Sequence, residues 1–411
     1  MTRMMRRVVI TGLGIVSPLG SSVDTFWNAL MSGASGARRI ALDGIADVTA
    51  FPVDGVDDAA RARFGQREIR RMDRVGRLAT LAAAAALSDS GEHGVPAERI
   101  GAIVGCVHGG AQTLHDAEVT LATRGAERVS PLAIPLGLTN SAVAAVARTL
   151  DLRGPTGVTG TACAAGTDAV GAGVELIRSG RADLALAGGA EAPLAALLVT
   201  GYRQLGALSQ TQRPPQEASR PFDTARDGFV MGEGAGILVL EERERALSRG
   251  ATIYAEVVGH ASTCDAGHLT DPDPEGTGAA RVIALALADA HVAVDAVGYI
   301  NAHATSTRAG DAAEARALAA AGLTTTPVSA TKAAHGHALG AAGGIEAVVT
   351  ALALVHQTLP ATLNLETPDA EISLAHVLAP RPAPIEIAIS NSFGFGGHNA
   401  CLVMRAHHPP V

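Results

Sequence analysis

The sequence predicts an α/β chain with buried sheets, assembled from two halves of similar design. Three observations carry that reading. Strand-like apolar runs alternate with helical segments along the chain. The composition, 47 Gly among 411 residues with 47% hydrophobic but only 3% aromatic side chains, describes a large core packed through small residues. Finally, "VTGTACAAG", starting at Val158, and "VSATKAAHGHALGAAGG", starting at Val328, share one design: strand, polar turn, small-residue helix. That echo suggests an internal duplication whose two turns face one another across a pseudo-twofold axis.

The elements follow in order. Val8–Thr11 reads as a buried strand, although "MTRMMRRVVITGLGIVSPLG" imitates a signal peptide; its apolar run is short and broken by Thr11, Gly12 and Gly14. Helices are expected near Val23–Ser32 and Gly76–Ser88, then a strand at Ile100–Gly105 and a helix at Ser141–Leu150. Strand Thr156–Thr159, helix Cys163–Ser179 and strand Leu184–Ala187 come next. The polar, turn-rich stretch Ser209–Gly228 reads as a surface excursion. Alternation resumes with strands Ile237–Glu241 and Ile253–His260, helix Gly278–Asp289, strand Ala296–Asn301 and helix Asp311–Ala321. Strand Pro327–Ser329, helix Leu339–His356 and strand Ile387–Ser390 complete the pattern, before a Gly-rich turn in "NSFGFGGHNACLVMRA". No apolar run reads as long enough to span a membrane.

Charge and cysteine usage exclude several classes. A net charge of -8 argues against bulk nucleic-acid binding. Cys106, Cys163, Cys264 and Cys401 are dispersed with no C-x-x-C pair, which disfavours zinc and disulfide frameworks and fits a reducing, cytoplasmic setting. Of the 32 basic residues, Lys332 is the only lysine, so it marks a place where arginine will not serve.

The chemistry centres on Cys163, set where a strand ends and a helix begins. Helix N-terminal amides favour an anion there, so a lowered thiol pKa and a nucleophilic role are expected, and the same amides can hold an oxyanion. The other three cysteines read as structural. His303 in "NAHATSTRAGD" and His337 in "SATKAAHGHALGAAGG" each follow a strand and are candidate partners. His335 and His337 lack a nearby carboxylate or cysteine, so no metal is expected. "TGLGIVSPLG" begins like a dinucleotide fingerprint, but Ser17 stands at the third glycine. Arg61, Arg63, Arg67, Arg70, Arg71, Arg74 and Arg77 form either a solvated face or a docking patch for an acidic partner.

These motifs, with "GTACAAGTDAVGAGVELIRSGRADLALAGGAEA", "SATKAAHGHALGAAGGIEA" and "NSFGFGGHNA", resemble the β-ketoacyl-acyl-carrier-protein synthases of the elongating Cys-His-His type, in order over nearly the whole chain. The resemblance implies a thiolase-like five-layered α-β-α-β-α fold from two duplicated halves, divided here as 1–250 with the cysteine and 251–411 with the histidines and lysine. It implies a dimer: a homodimer, or a heterodimer with a Cys-less homologue. It implies 3-oxoacyl synthesis by decarboxylative condensation of an acyl-Cys163 thioester with malonyl-acyl carrier protein. The pathway is fatty-acid or type II polyketide synthesis, and no cofactor is needed beyond carrier-protein phosphopantetheine. His303 and His337 would hold the enolate, and Lys332 would pair with Glu314. Phe395 would serve as gate and, with the Cys163 amide, as oxyanion hole. Thr305 and Thr307 would bind pantetheine, His108 and Ala133 would line the acyl pocket, and Arg67, Arg70 and Arg71 would dock the carrier protein. Ala304 and His398 depart from the commoner Gly and Thr without unsettling this chemistry. A non-catalytic chain-length subunit or a thiolase are the alternatives.

Overall fold

The structure is a computed structural model describing residues 6–408. Ten strands form its frame. The first five are β1 (Val8–Val16), β2 (Ile100–Gly105), β3 (Thr156–Thr159), β4 (Leu184–Glu191) and β5 (Gly234–Glu242). The second five are β6 (Ala255–Cys264), β7 (Val297–Asn301), β8 (Pro327–Ser329), β9 (Ile387–Gly394) and β10 (His398–Ala406). Their spatial order is β3-β2-β4-β5-β1 in the first set and β8-β7-β9-β10-β6 in the second. Ranked within each set, both read third, second, fourth, fifth, first, so one topology occurs twice. The sets meet where β1 pairs antiparallel with β6 through Val9–Glu256 and Ile10–Ala255.

Six helices complete the layers: α1 (Arg74–Asp89), α2 (Ser141–Leu150), α3 (Ala165–Arg178), α4 (Thr277–Asp289), α5 (Arg308–Ala320) and α6 (Ala342–His356). α1 packs on β1, β4 and β5 and carries α2 against it; α4 packs on β6 and β10 and carries α5. Between the sheets lie α3 and α6, which touch strands of both sets and each other. This is the five-layered α-β-α-β-α arrangement. It explains the composition, because α6 is buried on every side up to its last two residues and α3 shows water only a narrow strip around Glu175. Leu339–His356 is in fact long and apolar enough to cross a membrane, contrary to the sequence expectation, but it is this buried central layer.

Other departures are local. Gly12 and Gly14 belong to no phosphate loop: β1 runs straight through them, and a Cβ at either would lie 2.2 Å from Ala86 O or 1.9 Å from Ala82 O of α1. They are glycines because helix and strand backbones touch there. The Ser209–Gly228 stretch is anchored rather than superficial. Phe222 is fully buried, Arg220 pairs with Asp223 at 3.2 Å, and Arg226 pairs with Asp369 at 2.8 Å. The helix expected from Cys163 begins two residues later, at Ala165, after a 3-10 turn over Ala162–Ala164. The helix Ala111–Arg124, with no buried residue, escaped the sequence reading because its apolar positions do not form a core-facing stripe.

Candidate active site

Cys163 sits at the carboxyl end of β3, in a turn sharp enough to force Ala162 to φ 48°. His303 follows β7, and His337 follows β8 after the short helix Lys332–His335. The backbone of His337 is fixed by the segment before β5: its N–H donates to Val230 O at 2.9 Å, and its O accepts from Gly232 N–H at 3.0 Å. The pseudo-twofold fold therefore brings together three residues far apart in sequence. Cys163 Sγ and one nitrogen from each imidazole lie within 4.8 Å of one another. His337 Nε2 is 3.1 Å from the sulfur, and the two imidazole rings meet edge-on with centroids 5.4 Å apart.

Burial dominates the electrostatics. It pushes the Cys163 thiol up to about 11, against the opposing pull of Lys332 and the N–H groups of Phe395 and Cys163 itself. The lowered pKa expected from the helix terminus is thus corrected: desolvation of a buried thiolate outweighs the amides. His303 and His337 are both held well below the usual imidazole range, by burial first and then by Lys332. The resting pair is therefore a neutral thiol hydrogen-bonded to a neutral imidazole.

Lys332 is wholly buried and donates to His303 O at 2.6 Å, approaches His303 Nδ1 at 3.3 Å and forms an ion pair with Glu346. A donor at Nδ1 places the imidazole proton on Nε2, so His303 is set as an N–H donor. The expected Lys332–Glu314 pair is corrected by this geometry. Glu314 instead accepts from the His303 and Ala304 amides at 2.9 and 2.7 Å, fixing the loop after β7. Glu346 was missed, although a lone acid inside the apolar run "GGIEAVV" signals a buried cation partner. Cys163, His303 and His337 are also the one potential three-ligand metal cluster among the described residues. The Lys332 ammonium beside it opposes a divalent ion electrostatically.

A cavity of about 350 Å³ opens onto the sulfur. Its walls include His303, His337, Phe395, Thr305 and Thr307, and the two threonine hydroxyls lie 3.1 Å apart. Tyr202, Phe229 and Phe393 are further walls not anticipated from sequence. His108 and Ala133 do not line it. His108 stands behind Tyr202, 3.2 Å from its hydroxyl, and Ala133 is buried in the helix Ala133–Gly137. The arginine cluster divides. Arg74 binds the buried Glu233 at 2.6 Å and Arg77 binds Asp57 at 2.8 Å, whereas Arg67, Arg70 and Arg71 are exposed.

Comparison with known proteins agrees over nearly the whole chain. Residues 5–246 match the family model for the beta-ketoacyl synthase N-terminal domain, and residues 254–366 match the C-terminal domain. The chain is 43% identical over 409 residues to a 3-oxoacyl-[acyl-carrier-protein] synthase 2 of Synechocystis sp., covering 98% of each. It is 41% identical to the protein of that name from Vibrio cholerae, over 97% of this chain and 99% of the relative. A crystal structure of a beta-ketoacyl synthase from Burkholderia phymatum superposes with a TM-score of 0.92 at 36% identity, covering 98% of this chain and 100% of that one. The ishigamide ketosynthase/chain length factor superposes at 0.89 with 35% identity, covering 98% and 100%. With both domains matched, and a cysteine and two histidines converging at the meeting of its halves, the chain belongs to the β-ketoacyl synthase family.

Proposed function

We infer that the chain is a 3-oxoacyl-[acyl-carrier-protein] synthase, an acyltransferase that extends an acyl chain by two carbons in fatty-acid or type II polyketide synthesis. The observation that carries this is the Cys163–His337 contact at 3.1 Å beside a second, N–H-donating imidazole in one cavity. In the first half-reaction the sulfur attacks a carrier-protein thioester while His337 Nε2 takes the thiol proton. The amides of Cys163 and Phe395, which already oppose the rise of the thiol pKa, receive the developing oxyanion. The departing pantetheine sulfur takes that proton. In the second, malonyl thioester loses CO2, and its enolate oxygen is met by the Nε2–H of His303 and by His337 with its single proton moved to the nitrogen that faces the cavity. The enolate carbon then attacks the acyl-Cys163 carbonyl and expels the sulfur. The reaction needs neutral imidazole donors, and burial together with Lys332 keeps both rings neutral.

Further assignments rest on the same reading. Thr305 and Thr307 hold the pantetheine arm, Phe395 gates the cavity, and exposed Arg67, Arg70 and Arg71 meet an acidic carrier protein. Residues 1–250 and 251–411 are the two duplicated halves. The chain works as a cytoplasmic dimer, either with its own copy or with a Cys-less homologue. Supporting the dimer, the edge strand β3 and its neighbours expose Val158, Ile134, Leu138 and Leu121, the last three at 66%, 50% and 53%. The thiolase alternative is disfavoured because Cys401, its candidate second thiol, is buried in β10. A non-catalytic subunit is disfavoured because the nucleophile is present.

The test is intact-mass measurement of the enzyme after incubation with acyl-carrier-protein donors, followed by malonyl-carrier protein. A mass increase equal to the acyl group, absent in Cys163→Ala and discharged by the malonyl donor, is expected. Acylation that persists in Cys163→Ala overturns the assignment.

A further inference from the structure

The second half carries a copy of the turn that presents Cys163. After β3 the chain enters a positive φ at Ala162, a 3-10 turn over Ala162–Ala164, and then α3. After β8 and His337 it enters a positive φ at Leu339 (46°), a 3-10 turn over Leu339–Ala341, and then α6. Aligning these turns places Gly340 where the first half has Cys163. The second elbow has no nucleophile, but it is not empty. The Glu191 carboxylate, at the end of β4 and fully buried, accepts from Gly340 N–H at 3.2 Å. It also accepts from Val107 N–H at 2.9 Å and His108 N–H at 3.1 Å. Three backbone donors thus converge on an anion supplied by the protein itself. This cradle of amides is what lets a carboxylate remain buried without an arginine or lysine partner among the described residues.

The anion also reaches the cavity wall. His108 Nδ1 lies 3.6 Å from the Glu191 carboxylate, and its Nε2 lies 3.2 Å from the Tyr202 hydroxyl. At 3.6 Å the carboxylate is beyond hydrogen-bonding distance of Nδ1, which has no other partner among the described residues, but its charge favours the proton there, and this leaves Nε2 as the acceptor for the Tyr202 O–H. The Tyr202 ring in turn packs edge-on against Phe229, with centroids 5.6 Å apart, and tilted against Phe395 at 6.2 Å. Burial keeps the phenol neutral and able to donate.

We propose that Glu191 is a positioning residue for acyl-chain selection: filling the nucleophile-less second elbow, it fixes the His108 tautomer that binds Tyr202, and so holds Tyr202 as a wall that restricts the acyl group on Cys163 to short chains. The proposal rests on the acyl-transfer reading given above.

Two measurements test it. The first is the Cys163 acylation rate with butyryl-, octanoyl- and dodecanoyl-carrier protein, in wild type, Glu191→Gln, Tyr202→Phe and the double variant. Losing the hydrogen-bonded wall raises the dodecanoyl-to-butyryl rate ratio about tenfold in each single variant, with no further gain in the double variant, because both act through one contact. An unchanged ratio, or gains that multiply, overturns the proposal. A merely structural role for Glu191 lowers all donors together and also overturns it. The second is 15N NMR of histidine-labelled enzyme, with His108 assigned from the spectrum of His108→Gln. The Nδ1–H tautomer is expected in wild type and its loss in Glu191→Gln; any other form in wild type overturns the tautomer argument. Should Glu191→Gln fail to fold, Tyr202→Phe alone decides the rate ratio. A wild-type enzyme that no donor acylates strikes the acyl-transfer reading itself and leaves the NMR result to stand alone.

Discussion

Replacing Lys332 by methionine removes the ammonium and keeps most of the buried stem. Lys332 is fully buried, and its partner Glu346 is equally buried in the central helix α6. Burial has already pushed the Glu346 carboxyl up to about 7, with Lys332 the largest opposing influence. Without the ammonium, the folded-state pKa climbs further above its ordinary unfolded value. A raised carboxyl stabilises the folded state only at low pH, and that contribution is lost as pH rises towards the folded pKa. Below about pH 7 the variant's deficit relative to wild type is therefore flat and reflects lost hydrogen bonds, about 1–2 kcal/mol. Above it, the variant carries a neutral Glu346 where wild type carries an ion pair, and the gap widens by about 1.4 kcal/mol per pH unit. Over two units this approaches roughly 3 kcal/mol, the scale of a broken buried ion pair. Urea denaturation of both proteins at pH values on either side of 7 measures it. A deficit that does not grow with pH refutes the reasoning. Activity follows a separate path: His303 loses the donor at Nδ1 that sets its tautomer, so malonyl decarboxylation falls about a hundredfold even where the fold is intact.

Lys332→Arg keeps the charge but not the shape, and the enclosed site has no room for a planar fork; condensation falls sharply, and a normal rate would make the lone lysine a compositional accident. Gly394→Ala would set a methyl 2.9 Å from Cys163 N and 3.0 Å from Thr161 O, displacing the nucleophile turn, so Cys163 acylation slows about tenfold or more; an unaltered rate refutes the close approach. With its thiol pushed up to about 11, Cys163 should show an iodoacetamide reaction rate that keeps rising through about pH 9.5, and a plateau below about pH 8 contradicts that electrostatic account. Reversing the charges of Arg67, Arg70 and Arg71 raises KM for carrier-protein donors about tenfold while an acyl-N-acetylcysteamine thioester is turned over within about twofold of wild type; equal loss with both donors points to misfolding.

Much of the molecule is written locally. Strand and helix periodicity marked nearly all the frame elements, and the turn between β3 and a small-residue helix marked Cys163, because small neighbours leave room for a substrate at the sulfur. The two similar segments at Val158 and Val328 carry the duplication in the sequence itself. A single lysine in an arginine-using chain pointed to a residue chosen for chemistry. What depends on distance through space was not legible. Glu346 rather than Glu314 pairs with Lys332, although all three lie in the second half, because the packing of α6 decides which carboxylate faces the ammonium, while Glu314 is taken up by the His303 and Ala304 amides. The thiol pKa rose rather than fell, because burial is a property of the closed fold, and it overrode the helix terminus that the sequence displays. Tyr202 and Glu191 were found only through tertiary structure: Tyr202 reaches the cavity wall by packing on Phe229 and Phe395, and Glu191 stands behind that wall, gathering amides from the loop after β2 and from Gly340.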